Sequence, residues 1–240
     1  MNEFSKIINW DNVFAQAETF QNNTPFKYGF IENVFYEDFY EKLYNTYPSL
    51  DTFEKGNTYS KSQLIKYWGK NNKSVIPSEG NDNNYSEEWN LLKKYLESDD
   101  FLKNMSKFSG ILFNKLKFFS LIAHRKGGFQ SPHNHNMGDS VAVAMFYFSK
   151  GWKEGDAGGT YVSSEMDEST ILFEPYNLDN SMIIFQDGPV SWHGCRYVTK
   201  DAERRSLQIY LDRVEDGKFV GGGATEDDYG IEKTEKIDIQ

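Results

Sequence analysis

Between residues 111 and 212 the chain is cut into short apolar segments too brief and too evenly punctuated for helices. Six of them, KLKFFSLIAH, SVAVAMFYFSK, GGTYVSS, STILFEP, SMIIFQD and RRSLQIYLD, are rich in β-branched and aromatic residues and are separated by Gly, Asp and Asn. Strands this short and this close together predict a barrel or jelly roll. The 16% aromatic content fits a β-rich core. The longest apolar run, Val141 to Phe148, is too short to cross a bilayer as a helix.

The flanks read differently. Residues 1–110 are mixed and mostly helical in pattern. A helix is expected over Asp11–Gln21, a strand in KYGFIENVF, a helix in YEDFYEKLYNTYP ending before Pro48, and one or two amphipathic helices between a Ser86 cap and a Gly110 stop. The Asn-, Ser- and Gly-rich stretch 69–86 reads as a long loop and a candidate substrate lid. Residues 213–240 are polar and carry Gly221 to Gly223, so a surface extension is expected. The 240 residues are thus expected to form one domain: a mainly β core with flanking helices. The charge balance is 26 − 36 = −10, which disfavours nucleic acid as a partner. One cysteine, Cys195, allows no internal disulfide. The start, MNEFSKIINWDN, lacks a basic segment followed by an apolar one; the expectation is a cytoplasmic protein with no membrane contact.

All four histidines lie in the β zone. His133-x-His135 puts two imidazoles on one face of a strand, and His193 follows a later strand. Such a set outlines a facial metal site, and imidazole suits Fe, Zn, Cu or Ni. Purely structural histidines are the plain alternative.

The surrounding residues carry a resemblance. GGFQSPHNH (127–135), MFYFSKGWKEGDAGGTYV (145–162), NSMIIFQDGPVSWHGCRYV (180–198) and RRSLQIYL (204–211) resemble, in this order, four stretches of the prolyl-hydroxylase-like Fe(II)/2-oxoglutarate oxygenases. FIENVFYEDFYEKLYNTYP is similar to the N-terminal strand and helix of the same enzymes. The resemblance implies a double-stranded β-helix and a dioxygenase that hydroxylates an unactivated C–H bond of an amino acid, peptide or small metabolite. Fe(II), 2-oxoglutarate and O2 would take part, with succinate and CO2 formed. It places metal ligands on His133 and His193, with His135 standing at the position of the family's remaining ligand. It places the cation for the far carboxylate of 2-oxoglutarate on Arg205, with Tyr147 offering a hydroxyl. Strand alternation puts Arg205 with Leu207 and Ile209 on one face, expected to point inward, and Arg204 on the other, expected to be solvated. Arginine suits the role because its planar fork keeps its charge.

One residue departs from the family, whose usual motif is His-x-Asp; here the third residue is His135. The sequence leaves three ligand sets open: three histidines, a carboxylate from Asp139, or two histidines with His135 lining the site. Other readings are a cupin-type metalloenzyme, since Gly127, His133, His135, Asp139 and His193 imitate that pattern, a metal-free binding jelly roll, and a three-His zinc hydratase. His124 is read as a strand residue that could line the cosubstrate pocket, and Cys195 as a small buried filler.

Overall fold

The computed structural model describes residues 3–69 and 77–222. Five helices and a curled antiparallel sheet make up most of it. Helices α1 (Trp10–Ala15) and α2 (Ala17–Asn22) break at Gln16, where a single helix was expected. α3 (Glu37–Asn45) ends before Pro48. α4 (Glu87–Leu96) and α5 (Asp99–Ser109) are capped by Ser86 and Ser98, whose hydroxyls accept the amides of Trp89 and Phe101. Gly110 ends α5 at φ 70°, a left-handed conformation that glycine adopts without steric cost.

The main sheet contains β1 (Tyr28–Glu32), β2 (Glu54–Thr58), β3 (Lys61–Tyr67), β4 (Lys115–His124), β5 (Phe129–His133), β6 (Ala142–Phe148), β7 (Thr160–Ser163), β8 (Ile171–Phe173), β9 (Asp179–Gln186), β10 (Trp192–Cys195) and β11 (Arg204–Asp212). Their order is β1-β9-β6-β11-β4-β3-β5-β10-β7-β8, with β2 paired to β3. Every pairing is antiparallel. This is the curled, jelly-roll type of sheet that the strand spacing predicted. The β2–β3 hairpin falls in the zone read as mostly helical. Its residues EKGNT and KSQLIKY are too polar to announce strands, and β3 holds its place by pairing with β4 and β5.

The larger part of the sheet is buried on both faces, and the two faces differ. Phe119, Leu121 and Ala123 of β4, Ala144, Phe146 and Phe148 of β6, and Leu207, Ile209 and Leu211 of β11 join the helices in one apolar core. The alternate residues Phe118, Ile122, Val143, Met145, Tyr147 and Tyr210 face the inside of the curl. On that inner face β4 also carries Ser120 and His124, and β11 carries Arg204 and Ser206, all buried. The expected C-terminal extension is described to residue 222. There the amide of Gly222 donates to the Met137 carbonyl, and Lys117 holds the carbonyl of Gly221. Residues 223–240 and 70–76 lie outside the described residues.

Candidate metal centre

His133 ends β5 and His193 lies on β10, and the two are direct cross-strand partners. His135 sits two residues beyond the end of β5. One nitrogen from each of the three imidazoles lies within 4.8 Å of the others. The ring centroids are 4.2 to 5.2 Å apart. His135 and His193 are buried, while His133 is partly open. Asp139 is exposed on the following loop and does not join the cluster, so the carboxylate alternative has no geometric support.

The backbone sets two of the tautomers. His133 Nδ1 lies 3.0 Å from the Ser131 carbonyl and His193 Nδ1 lies 3.0 Å from the Ser191 carbonyl. A carbonyl can only accept, so each Nδ1 carries the proton and each Nε2 presents a lone pair. The Nε2 of His133 accepts from the Gln130 amide at 3.2 Å. The Nε2 of His193 is buried and has no hydrogen-bond partner among the described residues. A buried unpaired acceptor costs free energy unless something fills it, and a divalent ion between three lone pairs does so. Burial holds all three rings neutral: the His133 pKa falls to about 4, and those of His135 and His193 fall well below the usual histidine range. Neutral imidazole is the form that binds metal.

Around the cluster are residues that sequence reasoning missed. Asp187 is buried with an oxygen 3.7 Å from His135 Nδ1. It also accepts the Met137 amide and the Ser191 hydroxyl. Burial pushes its pKa up to about 6. A DG pair after a strand reads as a turn, so no sequence signal marked it. Gln130 faces the cluster because the β5–β10 register shifts between the pairs His193–His133 and Cys195–Gln130. The extra residue lets positions 130 and 133 share a face, which strict alternation forbids. Gly194 permits β5 and β10 to come this close: a Cβ there would lie 2.6 Å from the Gln130 carbonyl oxygen.

The arginine register is corrected. Arg205 lies on the helix-facing side, over the rings of Tyr44 and Tyr47, and its guanidinium pairs with Glu203 at 2.6 Å. It does not reach the histidines' side of the sheet. The reason is that the apolar face shared with Leu207 and Ile209 packs on the helices, so an apolar neighbourhood marked the wrong face. Arg204 is the inward arginine and is 1% exposed. It donates to the Gly158 carbonyl at 2.8 Å, the Ser206 hydroxyl at 2.6 Å and the Thr160 hydroxyl at 2.8 Å. Tyr147 supports it from below, with the guanidinium carbon 5.0 Å from the ring centroid. The Tyr147 hydroxyl accepts the Thr160 amide, so its oxygen is tied to β7.

Arg204, His124, His193, Gln130 and Gln208 line a small inner void of about 10 Å³, room for one water molecule. Among the described residues neither nitrogen of the buried His124 has a hydrogen-bond partner. Burial and the Arg204 charge keep that ring neutral. Cys195 borders the same void; burial pushes its thiol up to about 11, and its Sγ–H points to the Gly158 carbonyl. It is therefore a small filler and not a thiolate. A larger open cleft of about 330 Å³ lies on the other side of Gln130 and His133 and is edged by the β2–β3 hairpin. No described residue of the 69–86 loop lines it. Instead the Asp82 carboxylate of that loop accepts the Gly69 amide, the Asp82 backbone amide donates to Asn90 Oδ1 of α4, and the Asn90 amide donates back to the Asp82 carbonyl. Among the described residues no helix is long and apolar enough to cross a membrane.

No protein-family model and no curated protein matches the chain. Solved structures do match its fold. A prolyl-4-hydroxylase from Pseudomonas putida aligns with a TM-score of 0.59 at 12% identity, covering 86% of this chain and 100% of that one. A prolyl hydroxylase from Trichoplax adhaerens, in complex with a hypoxia-inducible-factor peptide, aligns with a TM-score of 0.57 at 12% identity over 84% and 88% of the two chains. An oxidoreductase of the 2-oxoglutarate-Fe(II) oxygenase family from Burkholderia pseudomallei gives a TM-score of 0.55 at 12% identity over 85% and 91%. Identity this low makes the likeness one of fold, and the function has to be argued from the site.

Proposed function

We propose that this chain is an Fe(II)- and 2-oxoglutarate-dependent dioxygenase that hydroxylates a C–H bond of a small molecule or peptide, with its N-terminal helical part and jelly-roll core acting as one domain. The observation that carries the reading is the convergence of three neutral imidazoles with one buried arginine on the inner face of this fold. His133, His135 and His193 would hold the iron, which when bound supplies the redox reaction with O2 that no protein side chain provides. Three imidazoles leave the metal's full charge uncompensated, where the family's usual carboxylate would offset one unit. Asp187 beside His135 supports part of that compensation one step out from the ligands.

Arg204 is the candidate partner for the far carboxylate of 2-oxoglutarate. Its fork is held rigid by Gly158, Ser206 and Thr160, and the unpartnered His124 lies in the same void. The void as it stands holds a water and not a five-carbon diacid. Gln130 borders both this void and the open cleft. A metal held by His133 Nε2 would use the lone pair that accepts the Gln130 amide, so Gln130 is the residue that links the ligand set to both spaces.

The test is conversion of 2-oxoglutarate to succinate and CO2 by the iron-loaded protein under O2, with no other substrate. Succinate formation that requires Fe(II) and vanishes in His193→Ala supports the reading. Tight metal binding with no 2-oxoglutarate binding and no succinate overturns it.

A further inference from the structure

Two side chains stand further into solvent than any other large apolar side chain of the described residues. Met166 is 65% exposed and Tyr59 is 63% exposed, with Leu112 and Tyr197 next at 59%. Tyr59 lies in the turn between β2 and β3, and Met166 in the segment between β7 and β8. These places are remote in sequence, yet both side chains line one open cleft, the one that reaches His133. Apolar surface held in water costs free energy, so two such side chains meeting at one concavity mark a ligand site. Trp192, next to His193 on β10, adds a third large side chain to the lining.

The cleft is built into the sheet. The Ser60 carbonyl accepts the Ser131 amide at 2.8 Å, and Lys61 pairs with Gln130 across the strands, so the hairpin turn is pinned beside β5. On the other rim the Asn134 side-chain amide donates to the Pro189 carbonyl at 2.9 Å, which ties the segment after β5 to the turn before β10.

The lining offers a ligand no spare charge. Among the described residues its one charged side chain is that of Lys61, which already has an interaction partner of its own. Glu165 and Asp167, on either side of Met166, are not part of the lining. A charged ligand would therefore lose hydration here without gaining an ion pair. The volume, about 330 Å³, suits a metabolite. The rings of Tyr59 and Trp192 and the thioether of Met166 favour a flat aromatic partner.

We infer that the substrate is an uncharged small molecule with an aromatic body, its ring held among Tyr59, Met166 and Trp192 beside His133. The inference rests on the proposed dioxygenase reading in calling the ligand a substrate.

The experiment titrates four probes into the metal-free full chain, with ligand-observed NMR as the readout: 3-phenylpropanamide, 3-phenylpropanoate, 3-phenylpropylamine and 3-cyclohexylpropanamide. The phenyl amide is expected to bind about tenfold more tightly than each of the other three. Tyr59→Ala and Met166→Ala should each weaken it about tenfold. Both side chains are exposed, so both variants should fold as wild type does. No binding of the phenyl amide, equal or tighter binding of any other probe, or an affinity unchanged in either variant overturns the inference. Position is read from the metal. Co(II)-loaded protein should broaden the ring resonances of the bound amide, and Zn(II)-loaded protein should leave them sharp. Equal line widths in the two would place the ligand away from the histidines and overturn its role as substrate. If the wild type takes neither ion or forms no succinate, the dioxygenase reading fails, and the metal-free titration still decides what the cleft binds.

Discussion

Replacing Arg204 by Met should remove recognition of the far carboxylate of 2-oxoglutarate and leave recognition of the 2-oxo acid end intact. The side chain is buried, and methionine keeps much of its volume without its charge. A charge-assisted pair of this kind is worth ~1.5–3 kcal/mol, so affinity should fall roughly ten- to a hundredfold. The substitution also strips hydrogen bonds from the Gly158 carbonyl and the Thr160 hydroxyl, at ~1–3 kcal/mol for each group left buried and unpaired. Urea unfolding of the same variant therefore has to accompany the binding measurement. The assay is calorimetric titration of the Ni(II)-loaded protein with 2-oxoglutarate and with 2-oxopentanoate, which has the same chain length without the far carboxylate. Wild type should favour the diacid, and Arg204→Met should bind both alike. Arg205→Met is the control. It breaks an ion pair whose side chains are 29% and 34% exposed, worth less than ~1 kcal/mol, and should leave both affinities unchanged. If Arg205→Met erases the diacid preference and Arg204→Met keeps it, the assignment of faces on β11 is wrong.

Three further expectations follow from other parts of the molecule. His135→Asp should keep metal binding, because it exchanges one donor for another, whereas His135→Ala should lower Ni(II) or Zn(II) affinity by at least tenfold in a calorimetric titration. An alanine variant that binds like wild type would demote His135 to a lining residue. The metal-free protein should lose stability as pH falls. Buried imidazoles with pKa values below 6.5 stay neutral in the folded chain, while the unfolded chain takes up protons. Stability is thus complete above pH 6.5 and declines through about 4 for His133, at ~1.4 kcal/mol per pH unit for each such histidine. Asp187, raised to about 6, works the other way, its contribution being lost as pH rises through that value, but it is one group against four. A urea midpoint that does not fall between pH 7 and pH 5 would contradict the burial of these rings. Lys117→Met should cost at least ~3 kcal/mol, measured by urea unfolding, because it leaves the fully buried Asp212 without its cation. A loss under ~1 kcal/mol would mean that Ser140, Arg213 and Gly221, which also donate to Asp212, satisfy the carboxylate alone.

Local pattern and spacing were enough for several features of this protein. The short strands between 111 and 212, the helix cap at Ser86, the stop at Gly110 and the candidate trio His133, His135 and His193 depend on residue types at fixed separations, and a sequence displays those directly. What it could not display is which side of a strand meets which neighbour. On β11 both faces are buried, so burial did not tell Arg204 from Arg205; the helices claimed the apolar face and left the polar one to the site. Asp187 and Lys61 came to the histidines from distant turns and strands, and only the packing of the sheet brings them there. Gln130 shares a face with His133 because of a register shift, which arises from pairing with β10 and has no trace in the order of residues along β5. The sequence by itself determined most of the core strands, several helix ends and the three histidines of the candidate metal site. The tertiary structure decided the facing, because facing is a relation between strands and a linear pattern describes one strand at a time.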